Sequence, residues 1–280
     1  MTALTAALGD GSVIVKRNLI KIVRVPEVLL FTCIQPVMFV LLFAYIFGST
    51  VNLPGTTYRE FLVAGIFVQT TVFGATFTGA SLAQDMQKGI IDRFRSLPMS
   101  SAAVLIGRTV SDVAINALSL AVMAITGLLV GWRVRSSVLD AVAGFALLLL
   151  FAYAFSWIMG FIGLIVPGPE VVQNASFLVL FPLTFIANTF VPLETLPTIL
   201  RVFAEWNPVS AVTQATRTLF GNSAGVAQVS QAWPISHPVL YTLIWVVAIL
   251  AVFVPLCFSP DLCVFSFSVC VAPALGLVWR

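Results

Sequence analysis

The sequence predicts an all-α integral membrane protein with six transmembrane helices. Of its 280 residues, 60% are hydrophobic and 9% are charged, whereas soluble domains carry about 25% charged residues. The mean hydropathy of +1.06 is too high for a soluble core to bury. Six stretches of the chain have the roughly 20 mostly apolar residues that cross the hydrocarbon core of a bilayer. Little chain remains for a soluble domain.

The N-terminal region, residues 1–27, is predicted to lie on the cytoplasmic face. Residues 12–25, SVIVKRNLIKIVRV, mix apolar positions with Lys16, Arg17, Lys21 and Arg24. This pattern is typical of a basic amphipathic helix in the membrane interface. Four cations before the first span also place the N-terminus in the cytoplasm. No cleavable signal peptide is evident, and the first span can act as the signal anchor.

The transmembrane domain is predicted to occupy residues 28–256. Its spans are expected at residues 28–47, 61–82, 103–130, 139–166, 172–190 and 238–256. Pro36 and Pro182 lie inside the first and fifth spans, where neighbouring helices can satisfy the freed carbonyl groups. The second span is rich in glycine, alanine and threonine, which suits close helix packing. Residues 257–280 form an atypical apolar C-terminal tail to which we assign no role.

Residues 191–221 are neither long nor apolar enough to span, and they predict two short external helices before the last span. The helices are expected at about 195–205 and 208–220, with a break at Asn207-Pro208 because proline favours the first helical turn. The side chains of Glu194, Arg201, Glu205 and Arg217 would make the segment amphipathic. We expect it to dip into the outer leaflet or to cap the bundle there.

A charged segment, residues 84–101 (QDMQKGIIDRFRSLPMSS), separates the second and third spans. Ile90, Ile91, Phe94 and Leu97 fall at helical spacing, and Pro98 ends the predicted helix. The charged side chains of the segment are Asp85, Lys88, Asp92, Arg93 and Arg95. A short amphipathic helix at this place either lies passively on the lipid headgroups or docks into a soluble partner. The residues alone leave both interpretations open.

Polar residues in the third span also allow two interpretations. Arg108, Asp112 and Asn116 recur every four residues and therefore share one helix face. Either Arg108 and Asp112 form an ion pair near the cytoplasmic end, or the face forms a polar stripe along a transport path. No acidic residue falls at the middle of a predicted span, which argues against proton-coupled antiport and against an intramembrane hydrolase.

Several other kinds of site are excluded by the sequence. It contains no GxxxxGK[ST] phosphate-binding loop, so ATP-driven work would need a separate subunit, and we expect no cofactor in this chain. The basic residues are too few and too scattered to bind nucleic acid. His237 has no cysteine or acidic residue nearby, and no metal site is expected. The cysteines at 33, 257, 263 and 270 form no CxxC pair and are interpreted as small apolar residues.

Five blocks of the sequence resemble the ABC-2 type permeases, most closely the branch of daunorubicin-resistance permeases. The blocks are KRNLIKIVRVPEVLLF (16–31), IQPVMFVLLFAYIFGS (34–49), QDMQKGIIDRFRSLPMS (84–100), FPLTFIANTFVPLETLP (181–197) and AEWNPVSAVTQATR (204–217). The resemblance covers about residues 12–256, and the last two blocks together are the most specific. The tail departs from the family, whose members usually end in a short basic stretch soon after the sixth span.

The resemblance implies an N-terminal elbow helix, six spans, and a cytoplasmic coupling helix that docks on an ABC ATPase. The residues assigned to that contact are Asp85, Lys88, Gly89, Ile90, Ile91, Asp92, Arg93, Phe94, Arg95, Leu97 and Pro98. The expected partners are the ATPase, which would bind ATP and Mg²⁺, and a second copy of the permease in a homodimer. Closed symmetry also favours the homodimer. The expected location is the cell membrane.

The expected function is export of a hydrophobic drug, antibiotic or lipid-like compound. Aromatic and polar residues of two spans are candidates to line its path. They are Phe67, Gln69, Phe73, Phe77, Asn174, Phe181, Phe185 and Asn188. The same faces could instead form the contact between two copies of the chain. Two other functions remain open: an ion-coupled secondary carrier without an ATPase, and a membrane anchor that recruits a soluble partner.

Overall fold

A computed structural model describes residues 15–16, 20, 26–46, 57–90, 101–166, 168–190, 193, 196–223 and 232–258. Most of the predicted elbow helix, residues 91–100 of the charged segment and residues 259–280 of the tail lie outside this part of the chain. The helices in chain order are α1 (Pro26–Ile46), α2 (Tyr58–Gly74), α3 (Thr76–Gln87), α4 (Ser101–Val130), α5 (Val138–Ile165), α6 (Pro169–Ile186), α7 (Thr198–Trp206), α8 (Pro208–Phe220), α9 (Trp233–Ser236) and α10 (Pro238–Phe258).

The described residues form an all-helical membrane protein, as predicted. Five stretches are long and apolar enough to cross a bilayer: Tyr58–Gln87, Ile106–Val130, Val138–Ile165, Pro169–Ile186 and Pro238–Phe258. Helix α1 has 21 residues, and its segment Ile34–Ile46 is a further apolar stretch of shorter length. The elbow helix and the first predicted span, residues 28–47, stay predictions, and with them the total of six spans.

Successive long helices run in opposite directions through the bundle. Its two ends therefore carry different loops and short helices. We call the end where α3 finishes and α4 begins the Lys88 end, and the end that carries α7 and α8 the Arg217 end. Helix α5 lies at the centre and packs against α3, α4, α8 and α10. Helix α1 packs on α2 and α4, and α6 packs mainly along α3. The span α2–α3 is the most deeply buried of the candidate spans.

The second predicted span, residues 61–82, lies within the single stretch Tyr58–Gln87, whose helix has a short break at Ala75. Helix α2 ends at Gly74 and α3 begins at Thr76, with Ala75 between them. The Thr78 amide donates to the Ala75 carbonyl oxygen over 3.1 Å, a three-residue spacing that tightens the chain. The side-chain oxygen of Asn116 packs against Gly74, in space that a Cβ atom would need. No proline marks this break in the sequence.

Close contact between α3 and α5 depends on two glycines. A Cβ atom at Gly163 would overlap the main-chain oxygen of Gly79, and a Cβ atom at Gly79 would overlap the carbonyl oxygen of Met159. Small residues of this kind let helix backbones approach closely inside a membrane. The glycine content of the second span therefore serves the packing that the sequence predicted.

The fifth predicted span is shorter than expected. Helix α6 ends at Ile186, and residues 187–190 form a turn instead of the last helical turn. The Asn188 amide donates to the Ser210 hydroxyl over 3.0 Å, and the Thr189 amide turns back to the Ala187 carbonyl oxygen. The bond to Ser210 on α8 and the local turn replace the helical hydrogen bonds. Residue spacing in the sequence does not reveal such a contact between distant segments.

The two short helices before the last span agree with the predicted break. The side chain of Asn207 accepts a hydrogen bond from the Val209 amide over 2.9 Å, and Pro208 is the first residue of α8. Gly221 ends α8 in a left-handed conformation with φ of 74°. Arg217 corrects the prediction of an amphipathic segment, because its side chain is fully buried instead of lying on a polar surface.

Candidate functional site

The charged segment begins as a continuation of the second span. Helix α3 extends to Gln87, so Asp85 lies on its last turn. Lys88 is exposed, and Gly89 adopts a positive φ of 63° that favours glycine. Ile90 is helical again. Gly89 thus separates α3 from the predicted coupling helix, whose remaining assigned residues, Ile91–Pro98, lie outside the described residues.

A buried polar cluster joins α4 to α3 beyond the charged segment. The predicted ion pair is present: Arg108 Nε lies 3.3 Å from Asp112 Oδ2. The same carboxylate oxygen accepts a hydrogen bond of 2.6 Å from the Thr78 hydroxyl. Asn116 Nδ2 donates to the Asp112 carbonyl oxygen over 3.0 Å. Spacing along α4 identified Arg108 and Asn116, whereas nothing in the sequence pointed to Thr78, which is 34 positions away.

The Asp112 carboxylate is held away from solvent with part of its hydrogen-bonding capacity unused. Its side chain is 3% exposed and that of Arg108 is 14% exposed. Asp112 Oδ1 has no hydrogen-bond partner among the described residues. Moving two paired charges out of water costs free energy, and the attraction between them often does no more than offset that cost. The cluster is therefore weak evidence of added stability, although it does connect α3 to α4.

A row of phenylalanine rings runs along α6 towards the Arg217 end. Neighbouring ring centroids are 6.0 Å apart for Phe73–Phe177, 5.2 Å for Phe177–Phe181, 4.2 Å for Phe181–Phe185, 4.7 Å for Phe185–Phe190 and 5.0 Å for Phe190–Phe43. We call these six rings the aromatic ladder. Such separations are those of favourable ring contacts.

The aromatic ladder contains three of the residues predicted to line a path, Phe73, Phe181 and Phe185. The rings at 177, 181 and 185 recur every four residues on α6, a signal that sequence inspection could have used to add Phe177. Phe177 is 53% exposed and Phe181 is 38% exposed. The ladder is therefore accessible along part of its length, in contrast to a closed core.

Other residues predicted for the path lie in different surroundings. Phe67 is fully buried, and its ring packs edge-on against Trp132, Phe145 and Phe220 in the core. Gln69 is buried on α2, and Phe77 is 41% exposed on α3.

Asn188 is buried at the end of α6, and Asn174 is exposed near its beginning. The side-chain nitrogen of Asn188, Nδ2, donates to Gln214 Oε1 over 3.3 Å. Gln173 and Asn174 are both exposed, next to exposed apolar residues of the same helix. Polar side chains are costly against lipid tails. This part of the α6 surface therefore suits a protein partner or a polar cavity better than it suits lipid.

The Arg217 end is closed by hydrogen bonds that cross between elements. Arg217 Nε and Nη2 donate to the Phe61 carbonyl oxygen over 3.1 and 3.0 Å, and Nη2 also donates to the Thr189 carbonyl oxygen over 3.2 Å. Arg135 Nε and Nη2 donate to Glu60 Oε1 over 3.0 and 2.9 Å. Helix α8 and the chain after α4 are thus both bound to the first turn of α2.

The Arg217 guanidinium carries its charge in a buried place. Burial lowers the pKa of this group well below its usual value, although arginine stays protonated in proteins. Among the described residues no carboxylate forms an ion pair with it. Main-chain oxygens and the Phe61 ring, whose centroid lies 3.5 Å from the guanidinium carbon, surround it instead.

Comparison with known proteins identifies relatives over most of the chain. The family model for the ABC-2 type transporter matches residues 11–220. The daunorubicin resistance ABC transporter permease protein DrrB1 of Streptomyces coeruleorubidus is 36% identical over 200 residues, which are 71% of each chain. The putative transport permease ycf38 of Porphyra purpurea is 26% identical, over 75% of this chain and 73% of its own. The probable doxorubicin resistance ABC transporter permease protein DrrC of Mycobacterium tuberculosis is 23% identical, over 68% of this chain and 65% of its own.

Proposed function

This chain belongs to the ABC-2 type transporter family, and we propose that it is the permease subunit of a two-component ABC exporter. Permease subunits of this family are not themselves enzymes, and ATP would be hydrolysed by a separate ABC ATPase. The cargo we propose is a hydrophobic drug, antibiotic or lipid-like compound. The observation that supports this cargo is the aromatic ladder, which offers accessible rings along a membrane-spanning helix.

The aromatic ladder would provide the path for the cargo. Aromatic rings favour apolar and planar molecules, and they leave the orientation of a molecule loosely defined. Phe181 and Phe185 stack with an interplanar angle of 26° and cover each other's facing sides, so a flat molecule would lie against the ring edges along the ladder. Phe190 and Phe43 end the row, with the buried Asn188 beside Phe190, at the Arg217 end, where the cargo would be released.

A second copy of the chain would cover the exposed surface of α6. That surface carries Gln173 and Asn174 beside Phe177 and Leu178, of which Leu178 is 76% exposed. In a symmetric dimer this surface would meet its own copy, and the cargo path would lie between the two ladders. The homodimer gives the polar side chains a partner that lipid tails lack.

The ATPase would dock at the Lys88 end, which would face the cytoplasm of a cell with this protein in its plasma membrane. Four basic residues precede α1 and agree with that orientation. Exposed Lys88 and the turn at Gly89 direct the chain from α3 into the predicted coupling helix. Closure of the ATPase dimer would push on residues 85–98 and tilt the helices on both sides of them.

The test is transport into inside-out vesicles that contain this chain and a co-expressed ABC ATPase. Two probes represent the cargo classes: daunorubicin and a phospholipid with a fluorescent headgroup. The proposal predicts uptake of at least one probe that needs ATP, and loss of uptake when the ATPase is left out. Uptake driven by an ion gradient without ATP would favour a secondary carrier, for which buried Asp112 would be the coupling group. Retention of the ATPase without any uptake would favour a membrane anchor.

A further inference from the structure

The helices before and after the coupling segment are joined by a hydrogen bond inside the membrane. The Thr78 hydroxyl on α3 donates to Asp112 Oδ2 on α4 over 2.6 Å. Thr78 is 1% exposed and Asp112 is 2% exposed, so water does not compete for this bond. This distance is at the short end of the range for a hydroxyl donating to a carboxyl oxygen. It connects two helices whose ends both run into residues 88–100.

The position of Thr78 places this bond close to the break in the second span. Helix α3 has 12 residues, and the Ala75 amide still donates to the Thr71 carbonyl oxygen over 3.2 Å, so the break is a local irregularity within one span. Thr78 lies three residues beyond Ala75, and its amide takes part in the tightened turn there. A force applied at Lys88 would be carried along α3 to Thr78, and from Thr78 to Asp112 on α4.

The break also has its own contact with α4. Asn116, one turn beyond Asp112, packs its side-chain oxygen against Gly74 and donates to the Asp112 carbonyl oxygen over 3.0 Å. Residues on one face of α4 thus contact both sides of the break in the second span. In contrast, α2 is fixed at the Arg217 end, since Glu60 and Phe61 bind Arg135 and Arg217.

Arg108 completes the arrangement from the Lys88 side. Its Nε lies 3.3 Å from the same Asp112 oxygen that Thr78 contacts, one helical turn closer to the coupling segment. The positive charge of Arg108 favours the ionised form of the Asp112 carboxyl group, and an ionised acceptor holds the Thr78 hydroxyl more tightly than a neutral one. Asp112 Oδ1 stays without a hydrogen-bond partner among the described residues, so the ion pair is not built for maximal stability.

We propose that Thr78 and Asp112 are a positioning pair that makes α3 and α4 move together when the ATPase acts on the coupling segment. This inference rests on the proposed exporter function and assigns residues for its coupling step. Without the bond, movement of α3 under the push on the segment would be passed less directly to α4. ATP would then be hydrolysed without the joint helix movement that transports the cargo.

The test compares hydroxyl variants of buried threonines in the complex of this chain with its ATPase. Thr78→Val removes the hydroxyl at nearly constant volume, and Thr78→Ser keeps it. Thr71→Val is the matched control, because Thr71 is fully buried in the same span and its hydroxyl bonds to Val68 in its own helix. The measurements are ATPase retention, ATP hydrolysis, melting temperature, and export of the daunorubicin or phospholipid probe per ATP hydrolysed.

The inference predicts that Thr78→Val retains the ATPase and hydrolyses ATP but exports about tenfold less probe per ATP, as loss of one buried hydrogen bond implies. Thr78→Ser and Thr71→Val should keep the wild-type ratio. Thr78→Ala gives a second truncation if the valine variant does not accumulate.

An unchanged ratio in the Thr78 truncations, or an equal loss in Thr71→Val, would overturn this inference and leave the exporter function intact. A fall in melting temperature without a fall in the ratio would assign the bond to stability alone and also overturn it. A wild-type chain that neither retains the ATPase nor exports with ATP would overturn both proposals.

Discussion

The Arg217 side chain donates two hydrogen bonds to the carbonyl oxygen of Phe61, 156 positions away, and its guanidinium also packs on the Phe61 ring. A third bond reaches the Thr189 carbonyl oxygen. One side chain of α8 therefore holds the first turn of α2 and the turn after α6. The closed Arg217 end depends on this residue.

Arg217→Ala should destabilise the protein by about 2–4 kcal/mol, because the variant leaves buried carbonyl oxygens without donors and opens a cavity. Thermal unfolding in detergent measures the effect. Arg201→Ala on the neighbouring α7 is the matched control, since Arg201 forms an ion pair with Glu205 and its side chain is 42% exposed. That control should cost less than about 1 kcal/mol. Equal effects of the two substitutions would contradict the assigned role of Arg217.

Gly163→Ala should destabilise the contact between α3 and α5 by about 1–3 kcal/mol, as expected for overpacking against a main-chain oxygen. A new Cβ atom would overlap the carbonyl group of Gly79. Gly160→Ala provides the control on the same helix, because no atom lies within 4 Å of a Cβ atom built there. The control should be neutral or slightly stabilising. Melting temperatures that fall equally for both variants would show that the glycine contact is not tight.

Phe67→Ala should mainly lower the stability of the protein, whereas Phe181→Ala should mainly lower transport. Phe67 is fully buried among aromatic rings, so its removal should cost about 3–5 kcal/mol of stability. Phe181 is 38% exposed on the aromatic ladder, and its removal should lower export of the probe while changing the melting temperature much less. Phe203→Ala, at a half-exposed position on α7, is the control that should change neither strongly. Normal export by Phe181→Ala would remove the ladder from the path.

Asn174→Cys should form a cross-link between two copies of the chain in native membranes, in a background without the other cysteines. Asn174 lies on the exposed α6 surface that we assign to the homodimer. Leu129→Cys on α4 is the control, because Leu129 is 82% exposed and lies on a different helix from the surface assigned to the homodimer. Gel analysis after treatment with a short bifunctional thiol reagent measures the product. A dimer band from Leu129→Cys and none from Asn174→Cys would place the interface elsewhere.

Local signals in the sequence were sufficient for the class of fold and for several element boundaries. The apolar content predicted a helical membrane protein, and Asn207-Pro208 predicted the break between α7 and α8. The spacing of Arg108 and Asp112 predicted their ion pair. The resemblance to ABC-2 type permeases is confirmed by the family model and by the relatives. These features depend on residues within a few positions of each other, or on motifs.

Contacts between distant segments were not predictable from spacing. The break at Ala75 has no proline to mark it in the sequence. Beside it, Asn116 of α4 packs against Gly74, a contact that spacing along the chain does not show. Arg217 looked like a surface charge, because a helical pattern does not show which element covers a face. Thr78 is an ordinary hydroxyl in the sequence, and it acquires a role through Asp112 on another helix.

Retention of an ABC ATPase by this chain tests the central claim most directly. The chain is co-expressed with the ATPase, purified through a tag on the permease, and compared with Arg93→Glu and Phe94→Ala in the predicted coupling helix. Arg133→Glu is the control, because Arg133 is an exposed residue at the opposite end of α4. The exporter account predicts that the wild type and the control retain the ATPase and that both coupling variants lose it. A wild type that retains no ATPase, or coupling variants that retain it fully, would contradict the account.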